Sequence, residues 1–333
     1  MRATISLPER TSLGARVGRF ELQNLSLAPA SLPRVERIAR HGPVLHTSPL
    51  GGERDILSLN LTRGCAQRCA FCSVRASPHY RGNEVIQLYA DGAAALAAEL
   101  KQGRPRAVYL SPAADPFPPL AAVQAEAARI IAVLAEHGVE AWVMTRGFMR
   151  PSAMAVLAAH RAFVQVTVGL TTLDRTLQRR LEPLTASPSL RLRQLAQLSQ
   201  LGIRAQAALE PLIPGLTDTR DNLLPVLEAL AGAGVRHVTA GYLFLRSGIR
   251  DNLLPVLETL GCEEMVLDAY AAGPLLAIGQ LAPATYLPKA RRQRGYAHLM
   301  SLASQFGIQV RVSELTNPDF APPRQRALQP SLF

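Results

Sequence analysis

Residues 56–73 read ILSLNLTRGCAQRCAFCS. The first seven, ILSLNLT, alternate apolar and polar side chains with a period of two, the pattern of a half-buried strand. That strand feeds directly into Cys65, Cys69 and Cys72, while the fourth cysteine, Cys262, stands far away. Clustering of this kind argues against a disulfide framework, since two bridges cannot close within one such loop. Three thiols on one short loop suit a metal or cluster in a reducing compartment. The spacing C-x3-C-x2-C supplies three thiolates to a four-iron, four-sulfur cube and leaves one iron open to an outside ligand. A structural zinc ion asks for four protein ligands, and His79 or Cys262 would have to be the fourth. Both readings stand at this point, beside the plainer one of three buried thiols.

Downstream of the loop, strands and helices alternate. Strands are expected at 106–112, 140–146, 163–171, 203–213 and 235–244. Helices are expected at 91–103, 120–138, 151–160, 188–202 and 219–234. With 56–62 this makes six strands alternating with helices, hence an α/β fold with a parallel, right-handedly wound sheet. Ligands of such sheets sit at the carboxyl ends of the strands, where the cysteine loop begins. Before residue 56 the chain is punctuated by Pro8, Pro29, Pro33, Pro43 and Pro49 and reads as an arm or cap. After 265 the alternation blurs: 289–307 reads as a basic amphipathic helix, 308–314 as a strand, and the Pro-rich end as loose. The nonapeptide RDNLLPVLE occurs at 220–228 and again at 250–258. Both copies are expected to begin helices, with Asp221 and Asp251 near the caps and Pro225 and Pro255 in the first turn.

Composition sets the outer limits. The chain has 333 residues, 48% of them hydrophobic and 18% charged, enough to bury a large core. Aromatic residues are only 5%, so that core must be built from Leu, Ala, Val and Ile. The uncharged stretch from Ala269 to Pro288 carries Gly273, Pro274, Gly279, Gln280 and Pro283 and is not expected to be a membrane span. MRATISLPER has no apolar run ahead of its first charges, so no secretory leader is expected and the cytoplasm is the expected compartment. The net charge of +11 favours phosphates and nucleic acid as partners. Yet Lys101 and Lys289 are the only lysines, and a genome that prefers arginine codons gives the same excess as a solvated basic surface. Lys289, Arg291, Arg292 and Arg294 are the cluster that would touch phosphates; a solvated helix face is the competing reading.

GCAQRCAFC resembles the cluster loop of the radical S-adenosylmethionine superfamily, C-x3-C-x-aromatic-C, with Phe71 in the aromatic place. Within it the chain is similar to the branch that includes spore photoproduct lyase, over roughly 56–315. The likeness is carried by SPAADPFPP (111–119), MTR (144–146), the stretch from VGLTTLD to LEP (168–183) and EPLIPGLTD (210–218). The resemblance implies a partial (β/α)6 TIM-like barrel at 56–265. Around it would lie an N-terminal arm (1–55), a C-terminal extension packed on the barrel (266–315) and a loose tail (316–333). It implies a [4Fe-4S] cluster on Cys65, Cys69 and Cys72, with S-adenosylmethionine on the open iron. Ser111 and Asp115 would receive its amino group, Arg146 would face its carboxylate, Thr171 its ribose, and the backbone of Leu212 and Ile213 would flank adenine. It further implies an enzyme that makes a 5′-deoxyadenosyl radical, with a flavodoxin- or ferredoxin-like electron donor and an unassigned substrate for which damaged DNA is one candidate. A dry, Ala/Leu-lined barrel would suit that chemistry. The alternative is a zinc- or iron–sulfur-stabilised protein that binds nucleic acid or senses redox state without radical chemistry. Spore photoproduct lyase returns hydrogen through a cysteine ahead of the Asp-containing segment, where this chain has Ser111, Pro112, Ala113 and Ala114. The lyase's tyrosines around the last cluster cysteine are Phe71 and Ser73 here. That relay is therefore not expected; Tyr109, Tyr242 or Tyr270 would have to replace it, and Cys262 reads as a core thiol.

Overall fold

The alternation written into residues 56–244 becomes a parallel sheet. The computed structural model describes residues 32–47, 55–76, 80–278, 281–312 and 316–320. In chain order it has β1 (Arg34–Ile38), β2 (His46–Thr47), β3 (Ile56–Leu59), β4 (Thr62–Arg63), β5 (Val85–Tyr89), α1 (Gly92–Leu100), β6 (Ala107–Leu110), α2 (Ala121–Glu136), β7 (Glu140–Thr145) and α3 (Pro151–Ala159). Then come β8 (Val164–Gly169), α4 (Arg175–Leu181), α5 (Pro188–Gln200), β9 (Arg204–Leu212), α6 (Arg220–Gly232), β10 (His237–Tyr242), α7 (Ser247–Thr259), α8 (Glu263–Tyr270), β11 (Leu275–Ile278), β12 (Leu281–Thr285), α9 (Lys289–Ser304) and β13 (Gln309–Val312). The main sheet runs β13-β10-β9-β8-β7-β6-β3-β2. Only β2 is antiparallel to its neighbour; the rest pair in parallel, as βα connections require. Its end strands do not pair with each other, so the barrel is partial and TIM-like. No helix among the described residues is long and apolar enough to cross a membrane.

All six expected strands are present. Three features depart from the sequence reading. The segment before residue 56 contributes β1, which pairs with β5 in a separate three-stranded sheet, and β2, the edge of the main sheet; residues 1–31 lie outside the described residues. The part after 265 does more than pack on the barrel, because β13 joins the sheet beside β10. And the repeated nonapeptide takes two different registers. In α6 it opens the helix behind the cap Thr219, whereas in α7 it starts three residues into the helix. Pro225 and Pro255 therefore lie inside their helices rather than in the first turn, and Asp251 is no cap.

The two faces of the sheet differ sharply. Val108, Leu110, Ala141, Val143, Val166 and Leu209 point to the helices and are buried. The opposite, concave face carries Tyr109, Trp142, Met144, Thr167, Gln206 and Glu210, all half-buried. Gln206 Nε2 donates to Thr167 Oγ1 at 2.9 Å across that face. The expected Ala/Leu lining of the interior is thus corrected. The apolar half of each period-two strand is spent on the helices, and the inner face is left polar.

The basic helix is also different from its reading. Arg292 is 0% exposed. Its guanidinium donates to Leu287 O, Asn317 Oδ1 and both carboxylate oxygens of Asp319. It cannot reach a phosphate, and residues 316–320, expected to be loose, are fastened by it; residues 321–333 lie outside the described residues. Arg291 and Arg294 remain exposed. Burial pushes the Asp319 carboxyl up, but the bonds and charge of Arg292 pull it further down, below the ordinary carboxylate range. Stability from this pair is fully present above the unfolded-state pKa and is lost as pH falls through the lower folded-state value. Asp319→Asn should cost about 3 kcal/mol at neutral pH by leaving Arg292 a buried unpaired cation. It should also flatten the acid dependence, both read by urea denaturation from neutral pH down through the carboxylate range.

Candidate functional site: the thiol loop at the mouth of the sheet

The cysteine loop leaves the carboxyl end of β3 through β4 and is held by close backbone approach. Gly64 has φ 83°, and a Cβ there would stand 2.7 Å from Gly82 O. Thr62 Oγ1 donates to Gly64 O at 3.1 Å. Further along, Ala70 N donates to Leu181 O at 2.8 Å, and Leu184 N donates to Gln67 O at 3.3 Å. The loop is thereby docked on residues 181–184, the end of α4 and the turn after it.

That turn is fixed by a buried ionic triad. Glu182 is 0% exposed. It accepts from Arg146 Nε at 3.0 Å and from Arg191 Nη2. Burial alone would raise the Glu182 carboxyl; the two guanidiniums outweigh it and hold the group below its usual range. Arg146 also donates to Glu210 O and lies 5.2 Å from the centre of the Phe71 ring, directly on the cysteine loop. Gly169, at the end of β8, makes room for it, since a Cβ would stand 2.9 Å from Arg146 Cγ.

The three thiols stand on one loop, and burial acts on two of them, Cys65 and Cys69. Cys69 is buried, and Cys65 and Cys72 are partly so. Burial first, then the neighbouring Cys72, pushes the Cys65 thiol up to about 12. Cys69 is raised by burial, by Glu182 and by its two companions, against the pull of Arg146. Cys65 and Cys69 are thereby held towards the protonated form in the free loop, and a cationic group displaces those protons on binding. Gln67 Nε2 is buried beside the loop with no hydrogen bond, near Asp115 but out of good geometry. A cationic cluster seated on the thiols relieves the cost of ionising them together, so the donor set fits a thiolate-bound cluster. Among the described residues no three His, Cys, Asp or Glu side chains, the loop thiols included, stand in an arrangement that would hold a metal ion. Cys262 sits at the start of α8, where its thiol donates to Leu257 O at 3.7 Å, and it is not a fourth ligand. His79 falls outside the described residues.

The remaining expected site residues all come to the same end of the sheet, but several are committed to the protein. Ser111, directly after β6, has φ 56°, a strained conformation for a serine, and its Oγ accepts from Leu61 N at 3.2 Å. Asp115 accepts from Phe117 N, Thr145 Oγ1 and Arg146 N, each at 2.7 Å. It braces the turn, and burial raises its carboxyl despite those bonds. Thr171 follows β8, its carbonyl held by Asn222 Nδ2 at 2.9 Å. Leu212 O accepts from Leu243 N, and Ile213 N donates to Thr217 Oγ1 at 2.7 Å, so those backbone groups are spoken for.

The sequence reading missed Glu182, Glu210, Asn222 and Tyr80. Tyr80 is the tyrosine raised, to about 12, by burial and then by all three loop thiols, with Arg75 opposing. Of the tyrosines it did single out, Tyr242 donates to Asp218 Oδ2 and Tyr270 to Leu243 O. Tyr109 faces the concave side with only Met144 Sδ as partner, at 3.4 Å.

Comparison with known proteins agrees with this geometry. Residues 59–224 match the family model of the radical SAM superfamily. Uncharacterised proteins of Mycobacterium bovis and Mycobacterium tuberculosis are 28% identical over 200 residues, 57% of this chain and 59% of theirs. The chain thus spans under two thirds of the length of the curated relatives it matches. Among solved structures, a cysteine-to-serine mutant of spore photoproduct lyase superposes with a TM-score of 0.64 at 13% identity, covering 84% of this chain and 82% of that one. A lyase mutant with bound AdoMet and dinucleoside spore photoproduct gives 0.61 at 12% identity, covering 76% and 75%. SuiB of Streptococcus suis bound to S-adenosylmethionine gives 0.51 at 12%, covering 78% and 51%. These likenesses concern the fold. Together with the family match and the thiol loop at the mouth of a partial barrel, they establish that the chain belongs to the radical SAM superfamily.

Proposed function

We propose that Cys65, Cys69 and Cys72 hold a [4Fe-4S] cluster by three corners and that S-adenosylmethionine occupies the fourth. The chemistry supplied when both are bound is one-electron cleavage of the sulfonium, which yields a 5′-deoxyadenosyl radical able to take hydrogen from a substrate. The observation that carries the reading is the set of three thiols on one loop, one buried and two partly so, docked at the carboxyl end of a parallel sheet.

The chain's own residues divide the remaining work. Phe71, pinned under Arg146, fixes the orientation of the loop between its last two cysteines. Arg146 is a positioning residue, because its guanidinium is engaged by Glu182 and Glu210 O. Asp115 acts behind it, holding the Thr145–Arg146 backbone. Ser111 and Thr171 supply polar groups for the ligand's amino acid and ribose parts, and the backbone of Leu212 and Ile213 flanks adenine by packing, its polar groups being engaged within the fold. The polar concave face, with Tyr109, Thr167, Gln206 and Glu210, is the place for a hydrogen-bonding substrate. An external donor of flavodoxin or ferredoxin type would deliver the electron in the reducing cytoplasm. Nucleic acid is the partner that the charge of +11 favours.

Anaerobic reconstitution should give about four irons and four sulfides per chain. Dithionite with S-adenosylmethionine should then release 5′-deoxyadenosine. Changing any of Cys65, Cys69 or Cys72 to Ala should abolish both, whereas Cys262→Ala should keep them. A colourless chain holding one zinc contradicts the proposal.

The position of Arg146 gives a separate expectation. Gly169→Ala should displace its side chain and slow 5′-deoxyadenosine formation about 10- to 100-fold with iron content unchanged. Equal rates in the two proteins would show that Arg146 does not position the site.

A further inference from the structure

Away from the thiols, a cavity of about 590 Å³ lies between α7 and the β11–β12 hairpin. Arg246, Arg250, Asp251, Leu254, Leu275 and Thr285 are among its lining residues. Arg246 is 7% exposed, yet its Nε and Nη2 are buried without any hydrogen-bond partner. Its ring contact is Phe244, 5.3 Å from the guanidinium. Burial lowers its pKa, against a smaller upward effect of the Tyr286 phenol. Tyr286, 1% exposed, also has an orphaned Oη.

A buried guanidinium that lacks acceptors is an expensive arrangement in a folded protein. The two arginines buried more deeply are satisfied: Arg191 and Arg292 each have a carboxylate and a carbonyl. What Arg246 lacks is an acceptor carrying negative charge. Arg250 adds a second cation at the exposed edge of the cavity, and Asp251 offsets one of the two. Arg246 also precedes the first turn of α7, so the positive end of that helix points the same way. The walls are otherwise apolar, with Leu245, Leu254, Leu275 and Pro283.

We propose that this cavity binds a phosphate oxyanion borne by the substrate, with Arg246 as its main ligand and Arg250 at the rim. A planar fork of N–H donors matches phosphate geometry, and the apolar walls suit the remainder of a nucleoside phosphate. The helix that lines the cavity also contacts the chain just after the cluster loop. Asn252, on the same helix, accepts from Arg75 Nη1 in the short turn Ser73–Ala76 after the last loop cysteine. Assigning the phosphate to the substrate rests on the radical reading above; the binding itself does not.

The test uses the full-length chain and measures binding without turnover. Inorganic phosphate should raise the melting temperature of the wild type and leave Arg246→Met unmoved. Without phosphate, Arg246→Met should melt at or above the wild type, because no protein partner is lost. A fluorescent single-stranded deoxyoligonucleotide should bind Arg246→Met at least about tenfold more weakly. Competition by adenosine monophosphate would assign the site to a free phosphate ester, and competition only by unlabelled strand would assign it to a nucleic-acid backbone. Phosphate-insensitive melting of the wild type would overturn the proposal. So would an Arg246→Met chain that melts far below the wild type before phosphate is added, since the guanidinium would then have a partner within the fold. Loss of 5′-deoxyadenosine formation with phosphate binding intact would instead fault the radical reading.

Discussion

The docking of the thiol loop on residues 181–184 is the constraint from which the rest of the site follows. A loop that places three thiols on one inorganic group cannot be left to fluctuate, and its own short-range bonds are few. Ala70 N to Leu181 O and Leu184 N to Gln67 O transfer the rigidity of α4 to it. Those carbonyl and amide positions are in turn set by Glu182, clasped between Arg146 and Arg191. A buried triad of this kind is costly in desolvation and no bargain for stability alone. Its value here is geometric. Arg191 anchors the turn to Gly169 O and Ala186 O, and Arg146 extends from β7 to Phe71 and Glu210 O. One carboxylate thus ties the ends of β7, β8 and β9 to the cysteines.

The second organising fact is the division of labour between the faces of the sheet. The strands alternate, so every residue given to the helical layer has a neighbour turned to the concave side. The helices take Val, Leu and Ala almost without exception, and the inner face receives Tyr, Trp, Thr, Gln and Glu. A polar concave face adjoining the thiol loop is where a hydrogen-bonding ligand is held, and it is not a hydrophobic core.

How much of this was legible in the sequence depends on the range of the interaction. The six parallel strands and their helices were readable because period-two and amphipathic patterns are local, and the cysteine spacing was readable because its chemistry lies within one loop. The inner polarity was present in FVQVTVG and RAQAALE, where Gln165, Thr167, Gln206 and Glu210 alternate with apolar residues; composition averaged it away. Roles set by long-range pairing were not readable. Arg292 looked like a surface cation until Asp319, far along the chain, closed on it. Asp115 and Arg146 looked like ligand contacts, and their first partners proved to be Thr145 and Glu182. The second copy of RDNLLPVLE shows the same limit. Identical residues open one helix and sit inside another because Thr219 caps the first and the chain from β10 has already begun the second. Asn222 accordingly reaches Thr171 O, whereas Asn252 meets Arg75.

The central claim is that three thiols leave one iron corner free for S-adenosylmethionine. Electron paramagnetic resonance of the reconstituted, dithionite-reduced chain tests it most directly. The account predicts that adding S-adenosylmethionine shifts the cluster signal, because a ligand enters the vacant corner. A spectrum identical with and without it would contradict the account.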